Sequence, residues 1–120
     1  MAPRTRIVTG AVLAALAVAL GAFGAHALEG HLTPQRMATW DTAARMHLVH
    51  AVALVALGAA GDRVSGAGPA LLLAGTIVFS GTLYALCLTG MGVLGAITPI
   101  GGVSLIAGWV TIAVAAGRGT

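Results

Sequence analysis

The chain has 120 residues, of which 58% are hydrophobic and only 8% charged, and its mean hydropathy is +1.00. A soluble domain needs a charged skin that this composition does not supply, whereas lipid needs none. The net charge of +3 comes from scattered arginines, which excludes the clustered basic face that nucleic-acid binding requires, and the single cysteine, Cys87, excludes an internal disulfide or a cysteine-based zinc site.

In lipid the backbone must close its hydrogen bonds internally, so only helices or a closed barrel can span. The apolar runs are continuous rather than alternating and are rich in Ala, Leu and Gly, which favours helices. The predicted fold is an all-α membrane protein: one domain over residues 1–120, a four-transmembrane-helix bundle built from two helical hairpins. The expected spans are approximately 7–26, 43–61, 67–88 and 97–116, with an amphipathic segment at 34–45.

Arg4 and Arg6 form a short basic leader. The run from Ile7 to Ala25 reaches about 28 Å as a helix, against a hydrocarbon core of about 30 Å. Ala11, Ala15 and Ala19 share one face, and Ala17, Gly21 and Ala25 a neighbouring one; small residues four apart let a second helix approach closely. The same leader, with Ala25-His26-Ala27 behind it, also fits a cleavable signal peptide. The length of the run and bulky Phe23 near the cut favour a retained helix; cleavage would leave three spans.

Residues 26–45 hold most of the charge. Thr33-Pro34 reads as a helix start, with a capping hydroxyl and proline at the first helical position. Met37, Trp40, Ala44 and Leu48 then share a face, while Asp41 and Arg45 form an i,i+4 pair. The second helix is expected to begin outside the bilayer, with Trp40 at headgroup depth. Residues 61–66 are a polar turn and Pro69 opens helix 3. A chargeless stretch follows, and Thr98-Pro99 reads as the start of helix 4, an echo of Thr33-Pro34 that an old hairpin duplication would explain, though apolar sequences coincide easily. With four spans, Arg4, Arg6, Arg63 and Arg118 fall on one side, so both termini are expected in the cytoplasm.

The residues with chemistry to offer are His26, Glu29, Trp40, Asp41, Arg45, His47 and His50, together with Ser80 and Tyr84 on helix 3. His47 and His50, three apart, share a helix face as two metal ligands would, with His26 or Glu29 as a third. The plainer alternative has His50 bonded to a neighbouring helix and His47 facing headgroups. Axial haem ligation by His26 and His50 is disfavoured because both lie near one edge. Hydroxyls in a membrane helix mostly bond to the preceding turn or to an adjacent helix. No metal site, cofactor or catalytic set is assigned. All three acids lie at interfaces or turns, so proton-coupled export lacks its intramembrane carboxylate.

Four ordered stretches, Gly21–Leu28, Trp40–Ala43 with His50-Ala51, Phe79–Tyr84 and Leu94–Gly102, resemble the family of small membrane proteins typified by bacterial YgdD and eukaryotic transmembrane protein 256, domain of unknown function 423. The resemblance spans nearly the whole chain. It implies an integral inner-membrane protein of four helices without an assigned reaction, substrate or cofactor, and it favours a retained first helix. The family pattern falls on His26, Trp40, His50, Ser80, Tyr84, Thr98 and Pro99. Relatives often carry an aromatic residue before His50, where this chain has Met46, and His47 stands at a usually polar position, which weakens a metal pair. The expected function is that of a non-enzymatic structural or complex-associated membrane protein. It would lie in the bilayer as a homo-oligomer or in a larger membrane complex. The alternatives are a minimal transporter or channel lined by His26, His50 and Tyr84, and a lipid- or quinone-modifying enzyme with His50 as base oriented by Asp41.

Overall fold

The structure, a computed structural model, describes residues 1–119. Its helices are α1 (Pro3–His26), α2 (Pro34–Ala59), α3 (Gly68–Thr89) and α4 (Val93–Arg118), with a single 3-10 turn at Gly61–Arg63. All four helices are long and apolar enough to cross a bilayer. The amphipathic segment and the second span are one continuous helix of 26 residues, about 39 Å long at 1.5 Å per residue.

Local chemistry explains two of the boundaries. The Thr33 hydroxyl accepts the Arg36 N–H at 3.2 Å, and Pro34 occupies the first helical position, where a missing N–H costs nothing. Gly90 ends α3 at φ 72°, its N–H bonded to the Leu86 carbonyl at 2.8 Å. That left-handed conformation suits glycine. A Cβ there would also stand 2.8 Å from the Arg36 guanidinium.

The second Thr-Pro pair behaves differently. α4 begins at Val93, so Pro99 lies inside the helix and Thr98 caps nothing. The Thr98 hydroxyl bonds instead to the Leu94 carbonyl at 3.0 Å and to the Thr82 hydroxyl at 2.7 Å. Proline within a membrane helix is tolerated where neighbours and hydroxyls re-satisfy the backbone. The expected start at 97–99 is therefore about one turn late.

α2 and α3 form the central pair, with α1 packed on α2 and α4 packed on α3. Burial follows this order: 39% of the most apolar window of α2 is buried, 28% for α3, and 17% for each outer helix. The termini and the 61–66 turn share one end of the bundle, where Gly58 meets Pro3 and Gly68 meets Ile112; the other two links share the opposite end, where Gly90 meets Arg36. The apolar interior centres on Leu54, Leu72 and Leu105, with a second cluster of Leu28, Trp40 and Cys87.

α1 packs through Arg6, Gly10, Ala17 and Gly24, whereas Ala11, Ala15 and Ala19 face outward. Arg6, expected as a charge at the membrane edge, is 4% exposed. Its Nε donates to the Met1 carbonyl at 3.1 Å, and one terminal nitrogen donates to Leu57 and Gly61 carbonyls, both at 3.2 Å. It thus holds the C-terminus of α2, where the carbonyls and the helix dipole present negative charge.

Candidate functional site

The structure sorts the nine predicted site residues into three groups. Trp40, His47, Ser80 and Tyr84 converge where α2 meets α3. The Trp40 ring lies on Gly24, with no room between them for a side chain, and its Nε1–H donates to the Leu20 carbonyl at 2.9 Å. Trp40 is therefore a buried bridge to α1, 3% exposed, and not a headgroup anchor. Its ring centroid lies 4.7 Å from that of Tyr84. The Tyr84 hydroxyl in turn sits 3.0 Å from His47 Nδ1, and the Ser80 hydroxyl donates to the Ala43 carbonyl at 2.8 Å. Cys87, one turn beyond Tyr84, bonds to the Arg36 carbonyl.

His50 turns away toward α4. The Trp109 indole N–H donates to His50 Nε2 at 3.0 Å, so Nδ1 carries the proton and donates to the Met46 carbonyl at 2.7 Å. Both ring nitrogens are thereby engaged, and the tautomer follows from the indole, which can only donate. His26, Glu29, Asp41 and Arg45 form the third group, all exposed. Asp41 and Arg45 pair with each other at 2.8 Å.

Several expectations change. His47 does not face headgroups: it is 5% exposed, inside the bundle. His47 and His50 share α2 but serve different helices, because a three-residue step turns the second ring toward α4. They form no ligand pair, and no group of three or more His, Cys, Asp or Glu residues suited to a metal occurs among the described residues. Asp41 is bound to Arg45 and does not orient His50. His26, His50 and Tyr84 do not line a common path, since one is at an exposed helix end and the others are committed to different partners.

Sequence reasoning missed Arg6, Gly24 and Trp109 as interior polar or packing groups. The signal for Trp109 was available: an indole N–H within an apolar span needs an acceptor, and His50 is the polar side chain that supplies it. Between α1 and α3 lies a cleft of about 210 Å³, lined by Leu13, Leu20, His47, Ile77, Gly81 and Tyr84 among others. His47 Nε2 is buried and makes no hydrogen bond.

The chain has relatives. Residues 20–102 match the family described as "Protein of unknown function (DUF423)". The chain belongs to the DUF423 family. It is 45% identical over 115 residues to the UPF0382 membrane protein YwdK of Bacillus subtilis, covering 92% of this chain and 94% of that protein. It is 44% identical over 113 residues to the UPF0382 membrane protein SERP0230 of Staphylococcus epidermidis, covering 91% and 92%. A Staphylococcus haemolyticus relative, SH2409, is 43% identical over 110 residues, covering 88% and 89%. No solved structure matches. Four apolar helices and these relatives make this DUF423 protein an integral membrane protein of unknown biochemical function. The family match encloses Trp40, His47, His50, Ser80 and Tyr84 and leaves Arg6 and Trp109 outside.

Proposed function

We propose that this DUF423 protein is a non-enzymatic structural element of the inner membrane that associates through α1 with a second copy or a larger complex, with both termini in the cytoplasm. The observation that supports association is the outward row of Ala11, Ala15 and Ala19. Beside it stand exposed Val8, Val12 and Leu16, so the alanines form a shallow groove between ridges. In lipid no hydrophobic drive joins helices, and such a groove is where van der Waals contact between backbones is gained. The inward face of the same helix is already occupied by α2, so the groove is free for another helix.

Cytoplasmic termini rest on charge: Arg4, Arg63 and Arg118 are exposed at the end that carries the termini, and cytoplasmic loops favour arginine. Mass photometry and cross-linking in nanodiscs test the association. The wild type is expected as a defined oligomer or with a stoichiometric partner, and Ala15→Leu as a folded monomer. A monomeric, partner-free wild type overturns the proposal. C-terminal reporter fusions that report export test the orientation, and an exported C-terminus reverses it.

A further inference from the structure

At the end of the bundle that carries the termini, the 61–66 turn faces the last part of α4 and leaves two adjoining cavities. One, of about 410 Å³, is lined by Gly66, Val110, Val114 and Arg118 among others. The other, of about 530 Å³, is lined by Asp62, Arg63 and Ala116 among others. Ser65 and Ala115 line both. Along α4 the first cavity follows Val110, Val114 and Arg118, whose four-residue step keeps them on one side of the helix. The two valines are 57% and 46% exposed, and α4 carries no charged side chain before Arg118.

That row changes character over a short distance. From Val110 to Arg118 the helix rises about 12 Å, whereas each headgroup layer is roughly 5–8 Å deep. Depth is marked here by the charges themselves: Asp62, Arg63 and Arg118 are all exposed at this end, and the exposed valines beneath them belong in hydrocarbon. A groove that is cationic at its rim and apolar below matches an amphiphile; a free anion would use the rim alone. The charge of the head follows as well. Among the described residues the one ion pair is Arg45–Asp41, so Asp62 matches neither arginine, and two guanidiniums against one carboxylate leave the rim positive. The helix dipoles offset each other, because α4 ends here with its carbonyls while α3 begins here with its N–H groups, Gly68 packing on Ile112. Ser65, exposed at the rim, adds a hydroxyl donor, whereas that of Thr111 is already given to the Ala107 carbonyl.

We infer that this groove holds one anionic glycerophospholipid of the leaflet at that end, its phosphate taken by Arg118 with Ser65 and Arg63 at the rim, and one acyl chain laid along Val114 and Val110. Arginine suits the role because its planar fork meets a phosphate through two parallel hydrogen bonds. Basic recesses between membrane helices are where such headgroups are retained. The site uses α4 and the 61–66 turn and no residue of α1, so it stands apart from the association proposed above.

The test titrates dioleoyl phosphatidylglycerol into the full-length protein in dodecyl maltoside and counts retained lipid by native mass spectrometry. One lipid should bind saturably, at least about fivefold more tightly than dioleoyl phosphatidylcholine, which has the same phosphate and chains without net charge. Arg118→Gln should weaken it about fivefold, the effect of one arginine at a membrane surface, and Arg118→Lys should recover part of the loss. Ala115→Leu, which keeps every charge and fills the groove, should weaken it by a similar factor. Arg4→Gln removes an exposed arginine at the same end that does not line the groove and should bind like the wild type. Ala15→Leu should do so too, which separates this site from the α1 association. Equal affinity for the two lipids overturns the proposal. An equal loss in Arg4→Gln and Arg118→Gln also overturns it, since that would show diffuse charge in place of a site. Glycerol phosphate offers the head without the chains; displacement of the lipid by it would make the occupant a soluble phosphate and overturn the lipid assignment.

Discussion

In the α1–α2 hairpin the interface is pinned near both ends by side chains that reach backbone carbonyls, Arg6 to Leu57 and Gly61 at one end and Trp40 to Leu20 at the other. Among the described residues, the α3–α4 hairpin has no such long anchors. Its helices meet through Gly68, Gly75, Gly101 and Gly108, whose missing side chains let backbone lie on backbone, with short hydroxyls adding the Ser104–Leu71 and Thr82–Thr98 bonds. Lipid offers helices no hydrophobic reward for pairing. Both hairpins bring backbone close to backbone at glycines, Gly10 and Gly58 in the first, but only the first adds reach and charge. The two therefore fail in different ways when altered.

The largest effect is expected where nothing can yield. A Cβ at Gly101 runs into the backbone nitrogen of Phe79, so Gly101→Val must force α3 and α4 apart. Overpacking usually costs about 1–3 kcal/mol, and more against rigid backbone; thermal unfolding in detergent should show a loss of at least about 3 kcal/mol. A smaller loss would mean that α3 and α4 can shift apart without cost. Arg6→Leu comes next. It removes the polar latch on the end of α2 and should cost about 2 kcal/mol, with Arg6→Lys restoring part of it. Equal stability of Arg6→Leu and wild type would erase the distinction between the hairpins. The smallest effect belongs to Asp41→Asn, which breaks an ion pair whose side chains are 77% and 67% exposed. A change within about 0.5 kcal/mol is expected, and a larger one would show that exposed charge also helps to close the first hairpin.

Reading these contrasts from sequence is hard for a physical reason. In a soluble helix the apolar stripe marks the packed face, but here lipid-facing and packed faces are both apolar, so periodicity is silent. Helix number and approximate position were legible from apolar runs, and Thr33-Pro34 gave the start of α2 because its cap chemistry is local. Thr98-Pro99 misled because the same dipeptide, met inside a chargeless stretch, has no polar neighbour to tell a helix start from a helix interior. Ala11, Ala15 and Ala19 were as good a packing face on paper as Ala17, Gly21 and Ala25, and the buried face shares only Ala17 with either, adding Arg6, Gly10 and Gly24. Only the partner's shape selects the packed face: Trp40 needs the space over Gly24. At the site, Trp40, His47, Ser80 and Tyr84 were identifiable as polar or aromatic residues. Their convergence was not, because it depends on how α2 is rotated against α3. That rotation also gives His50 to Trp109 and separates it from His47.

The hold of Arg6 on Leu57 and Gly61 has a consequence for biogenesis. Its carbonyl partners at the end of α2 lie more than fifty residues downstream, so the arginine finds them only once Gly61 has left the ribosome and α2 is wound to its last turn. Docking of the first two helices is thereby timed to completion of the pair, and an N-terminal helix released alone would retain a charge that resists burial.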